Sequence, residues 1–249
     1  MMRKLLPLLL LGSTTGPAAA TPELMNATAE PRARQEVVIL LHGMGRSALS
    51  MKRLEWTIER QGYLVVNVSY PSTRFPVEQL TDNYLRPALE EVGKSSPRRV
   101  HFVTHSLGGI LVRQYLGTHT MTNLGRVVML GPPNQGSEVA DALRSWSFYR
   151  RLVGPSGMQL GTGAGDLPRQ LGPARFDVGV IAGDRSLNPF FSRLIPGPDD
   201  GKVSVASARL EGMKDFLVVH HSHTWLAWRK VVIRQVLAFL ETGQFDRTK

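Results

Sequence analysis

A serine hydroxyl attacks a carbonyl efficiently only when a base takes its proton, a further group orients that base, and donors stand ready for the oxyanion. The chain has residues for each of these tasks. Ser106 lies in V-T-H-S-L-G-G (103–109), between the apolar run Val100 to Val103 and a stretch opened by Leu107-Gly108-Gly109. A strand-to-helix turn of that kind lifts its central side chain clear of a sheet and wants small residues two positions to either side. Gly108 meets the requirement, whereas Thr104 occupies the place where the pattern G-x-S-x-G has its first glycine. A serine at such a junction is by itself no more than a helix N-cap, so a nucleophile is argued from its partners.

Upstream, the run E-V-V-I-L-L ends in His42-Gly43-Met44-Gly45. Its glycines let the backbone bend close to a substrate, so that the Met44 N–H and that of Leu107, directly after the nucleophile, form an oxyanion hole. Seven histidines compete for the role of base. His101 and His105 lie in or beside the nucleophile strand, His42 lies in the oxyanion turn, and His119 falls near a helix end, where a cation suits the dipole. Of the remaining His220, His221 and His223, the last sits at the junction from the final apolar run to a helix opened by Thr224-Trp225; it is the assigned base, with His221 as the alternative. Where the nucleophile sits on such a strand-to-helix elbow, the acid falls between nucleophile and base in chain order. Asp200, in P-G-P-D-D-G-K-V-S-V, is followed by a glycine turn and a returning apolar run, which brings it toward an imidazole; Asp184, at the end of V-G-V-I-A-G-D, and Asp199 are its rivals. A triad is defined by geometry, and spacing leaves that choice open.

These residues need a scaffold, and the pattern supplies one. From Glu36 on, short runs rich in valine and isoleucine alternate with amphipathic stretches: helices are predicted over about 48–61, 77–92, 107–116, 137–144 and 224–242. That alternation is the signature of an α/β fold, a mostly parallel central sheet with helices on both faces. No internal repeat or linker interrupts it, so residues 36–249 read as one domain. Ser145 to Arg175 is irregular, with Trp146, Phe148, Tyr149 and Met158 among glycines and prolines. Emerging from the carboxyl end of a strand, where open sheets place ligands, it reads as a flap offering apolar surface to a substrate.

The 249 residues, 42% hydrophobic and 20% charged, have a globular balance and enough length for a substantial core. Residues 1–20 read as a signal peptide: Arg3-Lys4, an apolar run from Leu5 to Leu11 too short to span a bilayer, and Ala18-Ala19-Ala20 before a cleavage near Thr21. The expected location is periplasmic or secreted, in a bacterium. Residues 21–35 are polar and proline-punctuated, a flexible lead-in. The chain has no cysteine, which excludes disulfides and thiolate metal sites. Its net charge of +10 is scattered, with pairs such as Arg98-Arg99, Arg150-Arg151 and Arg229-Lys230 as the longest runs, so no stripe points to nucleic acid; peripheral attraction to an anionic membrane surface fits the same balance.

The chain resembles the α/β-hydrolase family, and within it the secreted bacterial triacylglycerol lipases and lipase-like esterases. The likeness rests on L-L-H-G-M-G (40–45), V-T-H-S-L-G-G (103–109), L-G-P-P-N-Q-G-S-E-V-A-D (130–141) and D-D-G-K-V (199–203), followed by the histidine. It implies an α/β-hydrolase fold with a minimal cap and a Ser106, Asp200 and His223 triad cleaving carboxylic esters of small or lipid molecules, without a cofactor. It favours Asp200 as the acid. A transacylase, thioesterase or phospholipase would use the same triad, and an idle binding module would use the same scaffold. Two positions depart from the pattern: Asn134 stands in place of a histidine, and Trp225 stands where the lipases have an aspartate of a structural calcium site, so no such metal is expected. The interval 145–175 is too short for their large helical lid.

Overall fold

Six β-branched runs become the strands β1 (Glu36–Leu41), β2 (Leu64–Val68), β3 (Arg99–His105), β4 (Leu124–Leu130), β5 (Val178–Gly183) and β6 (Asp215–Val219). Stiff Val and Ile side chains suit the pleated surface. In the computed structural model, which describes residues 36–248, these strands form one sheet in the order β2-β1-β3-β4-β5-β6, with every neighbouring pair parallel. The expectations for residues 1–20 and 21–35 lie outside the described residues.

Successive side chains along a strand point to opposite faces. Val37, Ile39 and Leu41 of β1 accordingly join a core closed by Leu80 and Leu89 from the helical segment 77–93 and by Ile110 and Leu111 from the helix Leu107–Thr118. Val38 and Leu40 meet Leu54 and Ile58 of the helix Lys52–Glu59, with Val232, Val236 and Phe239 of the helix Lys230–Thr242, on the other face. Each fully buried Leu or Ile contributes about 1.5–3 kcal/mol. The α/β fold with both faces covered is therefore present, and the sheet is wholly parallel among the described residues. No helix among them is long and apolar enough to cross a membrane.

This topology selects one place for chemistry. The chain runs from β1 out to β2 at one edge, then returns past β1 to build β3 and the rest of the sheet on the other side. The carboxyl ends of β1 and β3 thus flank the point where strand order reverses, the crevice in which open parallel sheets hold ligands. Leu41 pairs with Thr104 in register, so His42, just past β1, stands level with His105, the last residue of β3.

Two expectations are corrected. The interval 145–175 is not irregular throughout: it holds the helix Ser147–Met158, bent where Gly154 takes φ 66° before Pro155, and the turn Leu167–Gln170. The Gly-Pro break masks the helix in the sequence. The helix expected over 224–242 is divided into a 3-10 turn, His223–Trp228, and the helix Lys230–Thr242, with Arg229 extended between them. The reason lies at its start, where the His223 N–H is held by the Asp200 carbonyl at 2.9 Å and the turn buries both His223 and Leu226.

Candidate active site

Ser106 follows β3 with φ 54° and ψ −120°, one of two non-glycine residues at positive φ among the described residues. Such a conformation costs about 1–3 kcal/mol and persists only where the surroundings enforce it. Here its N–H donates to the Leu130 carbonyl at 2.8 Å and its own carbonyl accepts the Gly109 N–H at 3.0 Å. The helix after the elbow lies hard against β1: a side chain at Gly108 would begin 2.6 Å from the Leu41 carbonyl oxygen.

Thr104 is fully buried, paired in register with Leu41 and Met129. Its Oγ1 faces Gly109, where an added methyl would stand in ordinary contact with it at 3.4 Å and more tightly against Pro132 and Met129. The elbow thus forms with threonine in the place of the motif's first glycine. Thr104 Oγ1 has no hydrogen-bond partner among the described residues, and the residue is not part of the cavity wall.

The oxyanion turn is held from β2. The His42 ring stacks on Tyr70 with centroids 4.1 Å apart, the Tyr70 hydroxyl donates to the His42 carbonyl, and the Tyr70 N–H donates to His42 Nε2 at 3.3 Å. Burial lowers the His42 pKa, so the ring stays neutral in a supporting position. Ser72 Oγ accepts the Gly45 N–H at 2.9 Å. Among the described residues, the Met44 N–H meets no acceptor. Leu107, as the first residue of its helix, has no intrahelical carbonyl for its N–H. These are the two donors the sequence assigns to an oxyanion.

His223 and Asp200 are paired out of water. Asp200 Oδ2 lies 2.7 Å from His223 Nδ1, while Oδ1 accepts the N–H groups of Lys202 at 3.0 Å and Val203 at 2.9 Å. An ionised carboxylate accepts only, so Nδ1 carries the proton and Nε2 is left with a lone pair. Gly131, at the end of β4, makes this possible: it takes φ 55°, and a side chain there would begin 3.0 Å from both Asp200 Oδ2 and His223 Nδ1. Beneath the pair, His105 places Nε2 2.9 Å from the His223 carbonyl oxygen. Desolvation, and after it the neighbouring His223, hold the His105 pKa well below its usual value, so no permanent second cation stands beside the base.

The alternatives lie elsewhere. Asp184 Oδ1 meets His220 Nδ1 at 2.9 Å in an exposed pair. Asp199 Oδ1 accepts from Ser192 Oγ at 2.9 Å and the Gly201 N–H at 2.7 Å. His221 does not reach the cavity wall. Asn134, where the resemblance has histidine, is a buried tie: its amide donates to the Ala208 carbonyl at 2.9 Å and its backbone carbonyl accepts from Arg113 at 2.9 Å.

Ser106 and His223 line one cavity of about 360 Å³. Val139, Tyr149, Leu152, Val153, Leu160 and Phe191 give it apolar lining, four of them from the interval 145–175, which thus borders the cavity. Met44, Arg46 and Lys202 also line it. Sequence reasoning missed Tyr70 and Ser72 as supports of the oxyanion turn, His105 as the support of His223, and both cavity cations. The signal for the first two is S-Y-P-S after β2, which means something only once β2 is known to neighbour β1.

Residues 38–243 match the model of the alpha/beta hydrolase family. A comparison with curated protein sequences finds no match. Among solved structures the chain is similar to a Bacillus licheniformis lipase in its mature form, at 19% identity and a TM-score of 0.62 over 83% of this chain and 91% of that one. It is similar to a metagenomic carboxyl esterase at 21% identity and a TM-score of 0.60, over 87% and 71% of the two chains. A phospholipase from Legionella pneumophila aligns at 17% identity and a TM-score of 0.66, covering 85% of this chain and 60% of that longer one. At these identities the likeness is one of fold.

Proposed function

This chain belongs to the α/β hydrolase family, and we propose that it is a serine hydrolase of carboxylic esters, acting on acyl or lipid compounds through Ser106, His223 and Asp200. One observation carries the reading: the strained Ser106 and the lone-pair nitrogen of a His223 locked to Asp200 border the same cavity. Ser106 Oγ attacks the ester carbonyl carbon while His223 Nε2 takes its proton. The carbonyl oxygen, now an anion, accepts from the Met44 and Leu107 N–H groups. As the tetrahedral intermediate collapses, the C–O bond to the alcohol breaks and His223 returns the proton to the departing oxygen; water then repeats the sequence to free the acid. Asp200 stays ionised and holds the imidazole in the tautomer that accepts from serine. The apolar wall supports an acyl chain as the group bound there.

Hydrolysis of 4-nitrophenyl esters of increasing chain length is the test, with Ser106→Ala beside the native protein. Turnover should fall to the background rate in the variant at every chain length; retained turnover would remove Ser106 from the mechanism. We also propose that the protein is exported to the periplasm or medium, on the strength of Arg3-Lys4, the apolar run and the alanines before Thr21. Sequencing the amino terminus of the mature protein should begin near Thr21.

A further inference from the structure

The reactive cavity has a mixed lining. Beside its apolar side chains it carries Arg46, just past the oxyanion turn, and Lys202, two residues after Asp200. Both cations are exposed and line the cavity, and among the described residues neither is engaged in an ion pair. No carboxylate borders the cavity among its described lining residues. Arg46 also borders the neighbouring groove of Leu49, Trp225 and Trp228, so it stands at the way out.

The two charges line one cavity and act on common neighbours. Desolvation and then Arg46 lower the Lys202 ammonium pKa, which Asp200 partly restores, and Lys202 and Arg46 both depress that of His105, beside Ser106 and His223. The Asp200 carboxylate is already bonded to His223, so two cations lining one cavity favour an anionic visitor.

Reaction geometry says which part of a substrate meets them. An ester carbonyl carbon has two substituents, an acyl chain and an alkoxy group. The apolar wall suits the first. The second departs toward His223 Nε2, which must protonate it, and Arg46 marks that side, since it and Thr224, the residue after His223, border both the cavity and the neighbouring groove, while Lys202 lines the same cavity. Resting on the ester-hydrolase reading, we infer that the preferred substrates are esters whose alcohol portion carries an anionic group, a phosphate above all, seated between Arg46 and Lys202. Phosphate oxygens accept bidentate bonds from guanidinium and point-charge contacts from ammonium.

The experiment compares kcat/KM for 1-butyrylglycerol and 1-butyrylglycerol 3-phosphate, below any micelle concentration, in the native protein, Arg46→Gln, Lys202→Met and the double variant. The native enzyme should favour the phosphate at least ~10-fold at low salt, and the double variant should lower that ratio by ~10-fold or more, the weight of a partly screened charge contact. High salt should narrow the ratio in the native protein. Labelling by a fluorophosphonate reports whether each variant keeps an assembled site. Lysophosphatidylglycerol against lysophosphatidylcholine, in neutral detergent micelles, separates the sources: an anion preference that the double variant loses there identifies a lipid headgroup, and one confined to the soluble pair identifies a small phosphorylated alcohol. A native ratio near one, or a ratio unmoved in the double variant, overturns the inference while hydrolysis of 1-butyrylglycerol leaves the ester reading standing. Failure to cleave either soluble ester overturns both.

Discussion

Two carboxylate-imidazole pairs stand near the carboxyl ends of β5 and β6, similar in bond and different in setting. Asp184 and His220 meet at 2.9 Å with side chains 33% and 74% exposed, whereas Asp200 and His223 meet at 2.7 Å with 1% and 4% exposed. The outer pair is solvated, free to rearrange and screened by salt. The inner pair has its carboxylate fixed by two backbone N–H groups and its histidine fixed by a further backbone bond, and its histidine lines the cavity of Ser106, which neither member of the outer pair does. An acid beside a histidine is thus a poor marker of function. What distinguishes a candidate triad is that orientation is settled in advance and out of water, where it needs no reorganisation during reaction.

The difference is broken most strongly at the acid. Asp200→Asn should lower kcat by roughly 10³–10⁴-fold, because the amide no longer fixes the histidine tautomer; Asp184→Asn should change kcat by less than about twofold, as expected for a pair away from the reacting atoms. Steady-state ester hydrolysis of both variants reads the contrast, and comparable losses would abolish it. A smaller effect is expected at Gly131, whose missing side chain leaves space for the inner pair. Gly131→Ala should destabilise the fold by about 1–3 kcal/mol, from positive φ and from crowding against Asp200 and His223, and should lower kcat with it. Urea unfolding with parallel kinetics tests this, an unchanged midpoint and rate being the contrary result.

The smallest effect concerns the burial that keeps the inner pair dry. His105 is enclosed with it, and desolvation depresses its pKa below the ordinary 6.5. As pH falls through about 6.5 the unfolded chain gains a proton there that the folded chain refuses, so the contribution to stability declines with acidification. The urea midpoint of the native protein should drop between pH 7.5 and 5, and His105→Gln should show a shallower drop; equal slopes would mean that the group does not titrate between the two states.

Much of the fold is legible in the chain because β-branched runs and amphipathic stretches alternate without interruption. The elbow and the oxyanion turn are equally local, each being a strand end followed by glycines. What stays hidden is whatever sheet order creates. Asp200 and Asp184 both follow a glycine-bearing turn or strand, and only the packing of β5 and β6 gives one to His223 and the other to His220. Tyr70 and Ser72 belong to the site because β2 lies beside β1, and Arg46 and Lys202, distant in sequence, line one cavity. The helix Ser147–Met158 escapes notice because Gly154-Pro155 interrupts its pattern. Thr104 is the opposite case, a visible departure from the motif that the fold accommodates as a buried strand residue. Thr104→Gly should keep esterase activity within a few-fold and lose about 1 kcal/mol of stability through the vacated volume; loss of activity with an intact fold would assign the hydroxyl a chemical part.

The claim on which the rest depends is that Ser106 is a nucleophile activated by the inner pair. Intact-mass analysis of the folded protein after treatment with a fluorophosphonate, followed by peptide mapping, tests it most directly. A single adduct on Ser106, slowed severely by Asp200→Asn, unaffected by Asp184→Asn and absent in Ser106→Ala, is the predicted result. An unlabelled protein, or an adduct on another residue that persists in Ser106→Ala, would contradict it.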